Sequence, residues 1–132
     1  MPQKNVAVVH RFVDAFQAHD VTSLIELFSP DCEIVALRSA FEGPFRGRDG
    51  VRRWAESVYE AAPDSGFVAE RVIPARNEGV VVLGRQTGTA QLGGAAFDAP
   101  IGAVFEFEAG LVRRITSYAS HADALDAAGV RG

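Results

Sequence analysis

Two arginines and a tyrosine are the side chains of this sequence best suited to gripping an oxygen. In the stretch VVVLGRQTGTA, Arg85, Thr87 and Thr89 share one strand face, which Val81 and Leu83 continue. In a pocket, Arg85 would be a buried cation needing an acceptor, and it could bind or polarise a substrate oxygen. On a dimer face it would be an interface residue. Arg38 follows Ala36 by two residues and shares its face with Ala36 and Ile34. Either it aims at a pocket mouth, where a guanidinium could hold a carboxylate or a polarised carbonyl, or it is a solvated strand-end arginine. Strand parity predicts that both arginines point inward. Tyr118 adds a hydroxyl donor at another strand end.

Other reactive residue types are poorly placed. Asp98 adjoins Ala99-Pro100 near Gly93-Gly94, so it reads as a solvated hairpin-end carboxylate. His10, His19 and His121 have no metal-ligand spacing; His10 and Asp14 stand four apart and could pair on a helix surface. The single cysteine, Cys32, excludes an internal disulfide and a cysteine-based zinc site, and reads as a small buried apolar residue. Neither a metal nor a cofactor is expected.

These residues need elements to position them. Val6, Val9, Val13 and Phe16 give residues 5–18 a helical period, with Phe12 beside them. Ser23 and Glu26 have capping-box spacing, which predicts a short helix over 21–28, broken by Pro30-Asp31. Residues 32–38 read as a strand and 39–47 as a loop. A third helix follows, with Asp49 near its start, a face of Val51, Trp54, Ala55 and Val58, and a stop at Pro63. From Phe67 the period becomes that of strands: 67–75, 80–91, 96–107 and 111–119. They are separated by the hairpin turns Asn77-Glu78-Gly79, Gly93-Gly94 and Glu108-Ala109-Gly110. A final helix over 121–128 stops at Gly129.

Helices followed by a meander predict an α+β domain: a curved antiparallel sheet packed on three N-terminal helices, with a short C-terminal helix. A sheet curled around helices encloses a pocket. At 132 residues the chain reads as one domain over 1–132. Such a length buries roughly two-thirds of its unfolded surface. A net charge of −4, with no basic stripe, argues against nucleic acid. With no signal-peptide pattern and no apolar run near 18 residues, a cytoplasmic protein away from membranes is expected.

Four stretches resemble the nuclear transport factor 2-like superfamily, which includes ketosteroid isomerases, limonene epoxide hydrolases and SnoaL-like polyketide cyclases. They are VVHRFVDAFQAHDVTSLIELFSPDCEIV at 8–35, FRGRDGVRRW at 45–54, AVFEFEAGLVRRI at 103–115 and SYASHADALDAAGV at 117–130. The likeness is strongest to SnoaL-like proteins. It implies a cone of curved sheet on three helices, often a homodimer through the sheet's outer face.

The resemblance also shows what is missing. At the isomerase positions stand Phe12 for a tyrosine, Ala36 for the base, and Gly102 or Ala103 for the second acid. None of these side chains can donate or accept. At the epoxide-hydrolase positions Arg85 is kept, but Thr87 and Ser117 replace the acids. The implied site therefore has Arg38, Arg85 and Tyr118 as its polar candidates. Its lining would come from Phe12, Phe16, Ala36, Trp54, Val58, Thr87, Ala103, Phe105 and Ser117, with Phe107 as a further apolar wall. Two functions are compatible: an enzyme acting on a hydrophobic, cyclic or polyketide-like metabolite, or a non-catalytic ligand-binding or dimerising module. Neither isomerase nor epoxide-hydrolase activity is expected.

Overall fold

The computed structural model describes residues 2–37 and 43–130. Arg38, read above as either a pocket-mouth or a solvated strand-end arginine, lies outside the described residues. Helices α1 (Pro2–Gln17), α2 (Val21–Glu26) and α3 (Gly47–Ala61) pack on a sheet of β1 (Phe28–Val35), β2 (Phe45–Arg46), β3 (Gly66–Pro74), β4 (Val80–Thr89), β5 (Ala96–Glu108) and β6 (Leu111–Tyr118). Helix α4 (His121–Ala128) closes the chain. The sheet order is β2-β1-β6-β5-β4-β3. The expected α+β architecture is present, with two refinements. Residues 45–46, expected in a loop, pair with β1, and β1 runs parallel to β6 while every other pair is antiparallel.

The N-terminal helices use their apolar stripes. Val9 of α1, Leu24 of α2 and Val51 and Ala55 of α3 are essentially inaccessible, and with Phe28, Ile34, Val80, Val82, Phe105 and Val112 they form the core. The cap of α2 is Asp20, not Ser23: its carboxylate accepts from the Ser23 amide at 3.1 Å and the Ser23 hydroxyl at 2.7 Å. A cap must precede the first helical residue, Val21, and Ser23 lies inside. Asn5, buried on α1, donates to the Glu78 carbonyl at 2.7 Å and ties the helix to the β3–β4 turn.

Helix α4 lies on the other side of the sheet. Ala124 and Ala128 pack on Val81 and Leu83. Gly102 allows this approach, because a Cβ there would stand 2.5 Å from the Ala124 Cβ. Ser120 caps α4 by accepting from the Asp123 amide at 3.0 Å, and Gly129 ends it in the left-handed region at φ 71°. Because α4 covers one face and the core the other, Val80 to Leu83 is buried on both faces.

Two local features make predictions. The β5–β6 turn places Ala109 at φ 52° and Gly110 at φ 81°, the two positive values of a type I′ turn. Alanine resists that region and asparagine tolerates it. Ala109→Asn should therefore stabilise the fold by about 0.5–1 kcal/mol, seen as a thermal midpoint higher by a few degrees.

Asp64, between α3 and β3, accepts from the Thr89 amide at 2.7 Å and the Thr89 hydroxyl at 2.8 Å. These bonds hold its carboxyl below the usual 3.8, as those from Ser23 do for Asp20. A lowered carboxyl contributes stability above its unfolded value and loses it as pH falls through the folded one. The deficit of Asp64→Ala against the parent chain, measured by thermal unfolding, should be present near neutrality. It should shrink progressively below about pH 4.

Candidate ligand-binding site

Alternation along the strands decides what enters the cone. Val82 and Gln86 of β4, Ile101, Ala103 and Phe105 of β5, and Ile115 and Ser117 of β6 point toward the helices. With Phe67 of β3, Phe12, Val13 and Phe16 of α1 and Trp54 of α3, they line a deep chamber of about 70 Å³. A larger outer chamber, about 320 Å³, adjoins it and is lined in part by Ala36, Leu37, Val58, Ala61, Ser65 and Phe97. Trp54, Gln86, Ile101 and Ser117 border both chambers and so form the neck between them.

The walls are aromatic and tied together. The Phe12 ring centre lies 5.2 Å from Phe105, edge to face, and 6.1 Å from Trp54. Phe16 stands 5.7 Å from Trp54 and 5.4 Å from Tyr59. Tyr59 donates to the Phe16 carbonyl at 3.0 Å, and burial pushes its phenol up to about 12. It therefore works as a neutral strut behind the pocket. His19 stacks on Tyr59 with centroids 3.8 Å apart and bonds through Nε2 to the Ser65 carbonyl at 3.2 Å. That contact fastens the end of α1 to the turn beneath the outer chamber. The Ser65 hydroxyl in this turn is buried without a partner among the described residues.

Among the described residues lining the two chambers, none is Asp, Glu, Lys, Arg or His. The polar side chains there are Gln86, Ser117, Trp54 and Ser65. The amide, hydroxyl and indole N–H at the neck have no side-chain hydrogen bond to any described residue. They offer neutral donors, and the amide and hydroxyl also offer acceptors. This arrangement can hold an uncharged oxygen; its described side chains cannot shuttle a proton near neutral pH. Among the described residues no cluster suited to a metal ion is found.

The structure brings Phe12, Phe16, Trp54, Ala103, Phe105 and Ser117 together around the deep chamber, and adds Ala36 and Val58 at the outer one. It places three candidates elsewhere. Arg85 and Thr87 lie on the face opposite the cavity, contrary to the inward expectation. The Arg85 Nε donates to Asp98 Oδ1 at 2.5 Å, across the β4–β5 pair, and both side chains are substantially exposed. An exposed pair of this kind contributes little. Tyr118 packs beside α4 with Val81 and Leu83, also outside the cone. Phe107 stacks on Phe105 at 6.4 Å without lining either chamber. The physical reason is the doubly buried run Val80–Leu83, which leaves no polar–apolar alternation to say which parity faces inward. The residue missed is the one between the two expected: Gln86. Phe67, Val82, Ile101 and Phe97 follow from the same parity, once α4 is seen to claim the Val81 and Leu83 face.

The whole-chain geometry has solved counterparts. Bal32a, from a soil-derived mobile gene cassette, is 25% identical with a TM-score of 0.80, covering 96% of each chain. A nuclear transport factor 2-like protein of Burkholderia pseudomallei is 21% identical with a TM-score of 0.79, covering 95% of this chain and 97% of its own. SalBIII, an epoxide hydrolase/cyclase-like enzyme of pyran ring formation in the polyether salinomycin, is 17% identical with a TM-score of 0.79, covering 93% of this chain and 97% of its own. No curated protein matches the sequence. The SnoaL-like domain profile matches residues 9–115, from the middle of α1 through the cavity-lining Ile115 of β6, and on that span the chain belongs to the SnoaL-like domain family.

Proposed function

We propose that this chain is a small-molecule pocket protein that encloses an uncharged, largely hydrophobic ring compound in its cone. The observation that carries the reading is the lining: aromatic walls, a neck of neutral hydrogen-bonding groups, and no titratable side chain among the described lining residues. Burying a carboxylate against such walls leaves it with no cation among the described lining residues, at a cost of several kcal/mol. Burying a neutral ring recovers about 25 cal/mol for each Å² removed from water. Calorimetry with tetralin and its ring carboxylate tests the claim. Tetralin should bind at least about tenfold more tightly than the carboxylate. Equal affinities would contradict the reading.

A second reading, catalysis on such a ring, draws support from the same neck. Neutral donors aimed at one oxygen can stabilise developing charge without a carboxylate. It predicts turnover of a cyclisable ketone that persists when every exposed carboxylate near the cavity mouth is replaced. The proposal extends to a homodimer through the outer face of a single-domain chain. There Arg46, Glu33, Arg114 and Glu106 make a row of alternating charge across four strands, with Arg46–Glu33 at 3.2 Å and Arg114–Glu33 at 3.0 Å. A sedimenting mass of one chain, 14.1 kDa, would count against it.

A further inference from the structure

We infer that the neck between the chambers is a carbonyl-reading site, with Gln86 and Ser117 as its specificity-determining residues and Trp54 as a third donor. The inference rests on the neutral-ligand reading above and narrows it to ring ketones, lactones and quinones.

Trp54, Gln86 and Ser117 come from three separate elements, yet each borders both chambers. The fourth residue at the neck, Ile101, is apolar. Three of the four neck residues therefore carry a hydrogen-bond donor, while the walls beyond are hydrocarbon. None of these side-chain groups is used up within the described protein. These groups are half-buried and reach solvent, so a ligand that displaces water from them must pair with them. The tally of what they offer identifies the partner. The indole N–H only donates, the amide has two N–H donors and one acceptor oxygen, and the hydroxyl both donates once and accepts. Four donor hydrogens stand against two acceptor oxygens, so the complementary group is an acceptor. The absence of a cation among the described lining residues makes a neutral oxygen the better fit than a carboxylate. A ligand whose carbonyl sits at the neck places one part of its ring system in the deep chamber and the rest in the outer one.

The position of Gln86 is set by the sheet. It stands opposite Phe67 on β3 and Ala99 on β5. Ser117 stands opposite Ala103. Both sites are held by ladders on two strands or at the end of one, which makes them rigid donors of the kind that discriminates between ligands. A site built to hydrogen-bond one oxygen rejects the analogue that lacks it more strongly than a hydrocarbon wall rejects a small change in size.

The test uses one skeleton with and without the oxygen: alpha-tetralone and tetralin, titrated calorimetrically into the parent chain, Gln86→Met, Ser117→Ala and the double variant. The parent should prefer tetralone by roughly tenfold or more, from two or three neutral hydrogen bonds less desolvation. The double variant should hold tetralin within about threefold of the parent and cut the preference to within about threefold, the remainder that the Trp54 indole N–H supplies. The carbonyl stretch of bound tetralone should lie at lower wavenumber in the parent than in the double variant, a signature that altered packing alone does not produce. Circular dichroism keeps the comparison among folded chains, and each single variant repeats the test if the double variant fails to fold. A preference that survives both replacements undiminished, or a parent that binds the two compounds equally, overturns the carbonyl site while leaving the neutral-ligand reading in place. Failure of both compounds to bind the parent overturns that reading, and the carbonyl site falls with it.

Discussion

Ala103→Phe should lower the affinity for alpha-tetralone by about 100-fold, or about 2.7 kcal/mol, while the chain stays folded. Ala103 lies on the inner face of β5, opposite Val82 on β4 and Ser117 on β6, and its methyl is part of the wall of the deep chamber. That chamber holds about 70 Å³ of free space. A phenyl ring grown from position 103 enters the space and takes the place of the ligand's own ring. The cost to the protein is set by overpacking, about 1–3 kcal/mol, and is reduced because the new ring occupies a void rather than a filled core. Ala103→Leu, which fills less of the chamber, should give an intermediate loss. Calorimetry measures the affinities, and thermal unfolding shows that the variants fold. Undiminished affinity in Ala103→Phe would place the ligand outside the cone.

Gly84→Ala should cost about 3 kcal/mol of stability, and lower the thermal midpoint by about 10 °C. Gly84 sits in the middle of β4, opposite Ala69, where the β3–β4 register shifts between Ala69 and Arg71. A Cβ at position 84 would meet the Val68 carbonyl oxygen and stand 2.9 Å from Cζ of Phe67. The first obstacle is backbone and cannot rotate away. The second is a wall of the deep chamber, so relief must come from moving β3, the edge strand that carries Phe67. The bulge and the glycine together let β3 fold over the helices, which is how the sheet curls far enough to make a cavity. Loss of stability and loss of ligand affinity should therefore appear together in this variant. A midpoint within about 3 °C of the parent would mean that β3 yields freely and that the curl does not depend on this contact.

The parts of this protein that were legible in its sequence are those governed by one neighbour at a time. The period of α1, the stop of α4 at Gly129 and the Gly-containing hairpin turns each rest on local geometry, and each appears where expected. The aromatic helix residues Phe12, Phe16 and Trp54 were legible for the same reason: an apolar stripe on a covering helix must face the sheet. What required the fold was the choice of sheet face. Arg85, Gln86 and Thr87 are consecutive in sequence and alternate between the two faces, and only the docking of α4 on Val81 and Leu83 decides that Gln86 turns inward and its neighbours outward. The parallel pairing of β1 with β6 and the two-residue strand β2 are likewise products of tertiary contact, with no local period to announce them. Of the positions at which the resemblance implies missing acids, Ala36, Ala103 and Ser117 line the chambers, while Gly102 faces α4 and Thr87 lies on the opposite face.

The chain contains one tryptophan, and Trp54 stands at the neck of the cone, so its fluorescence reports the cavity directly. Titration of alpha-tetralone while that emission is followed is the most direct test of the central claim. The account predicts a saturable change with one ligand per chain, lost over the same concentration range in Ala103→Phe. No saturable change in the parent, or an identical titration in Ala103→Phe, would contradict it.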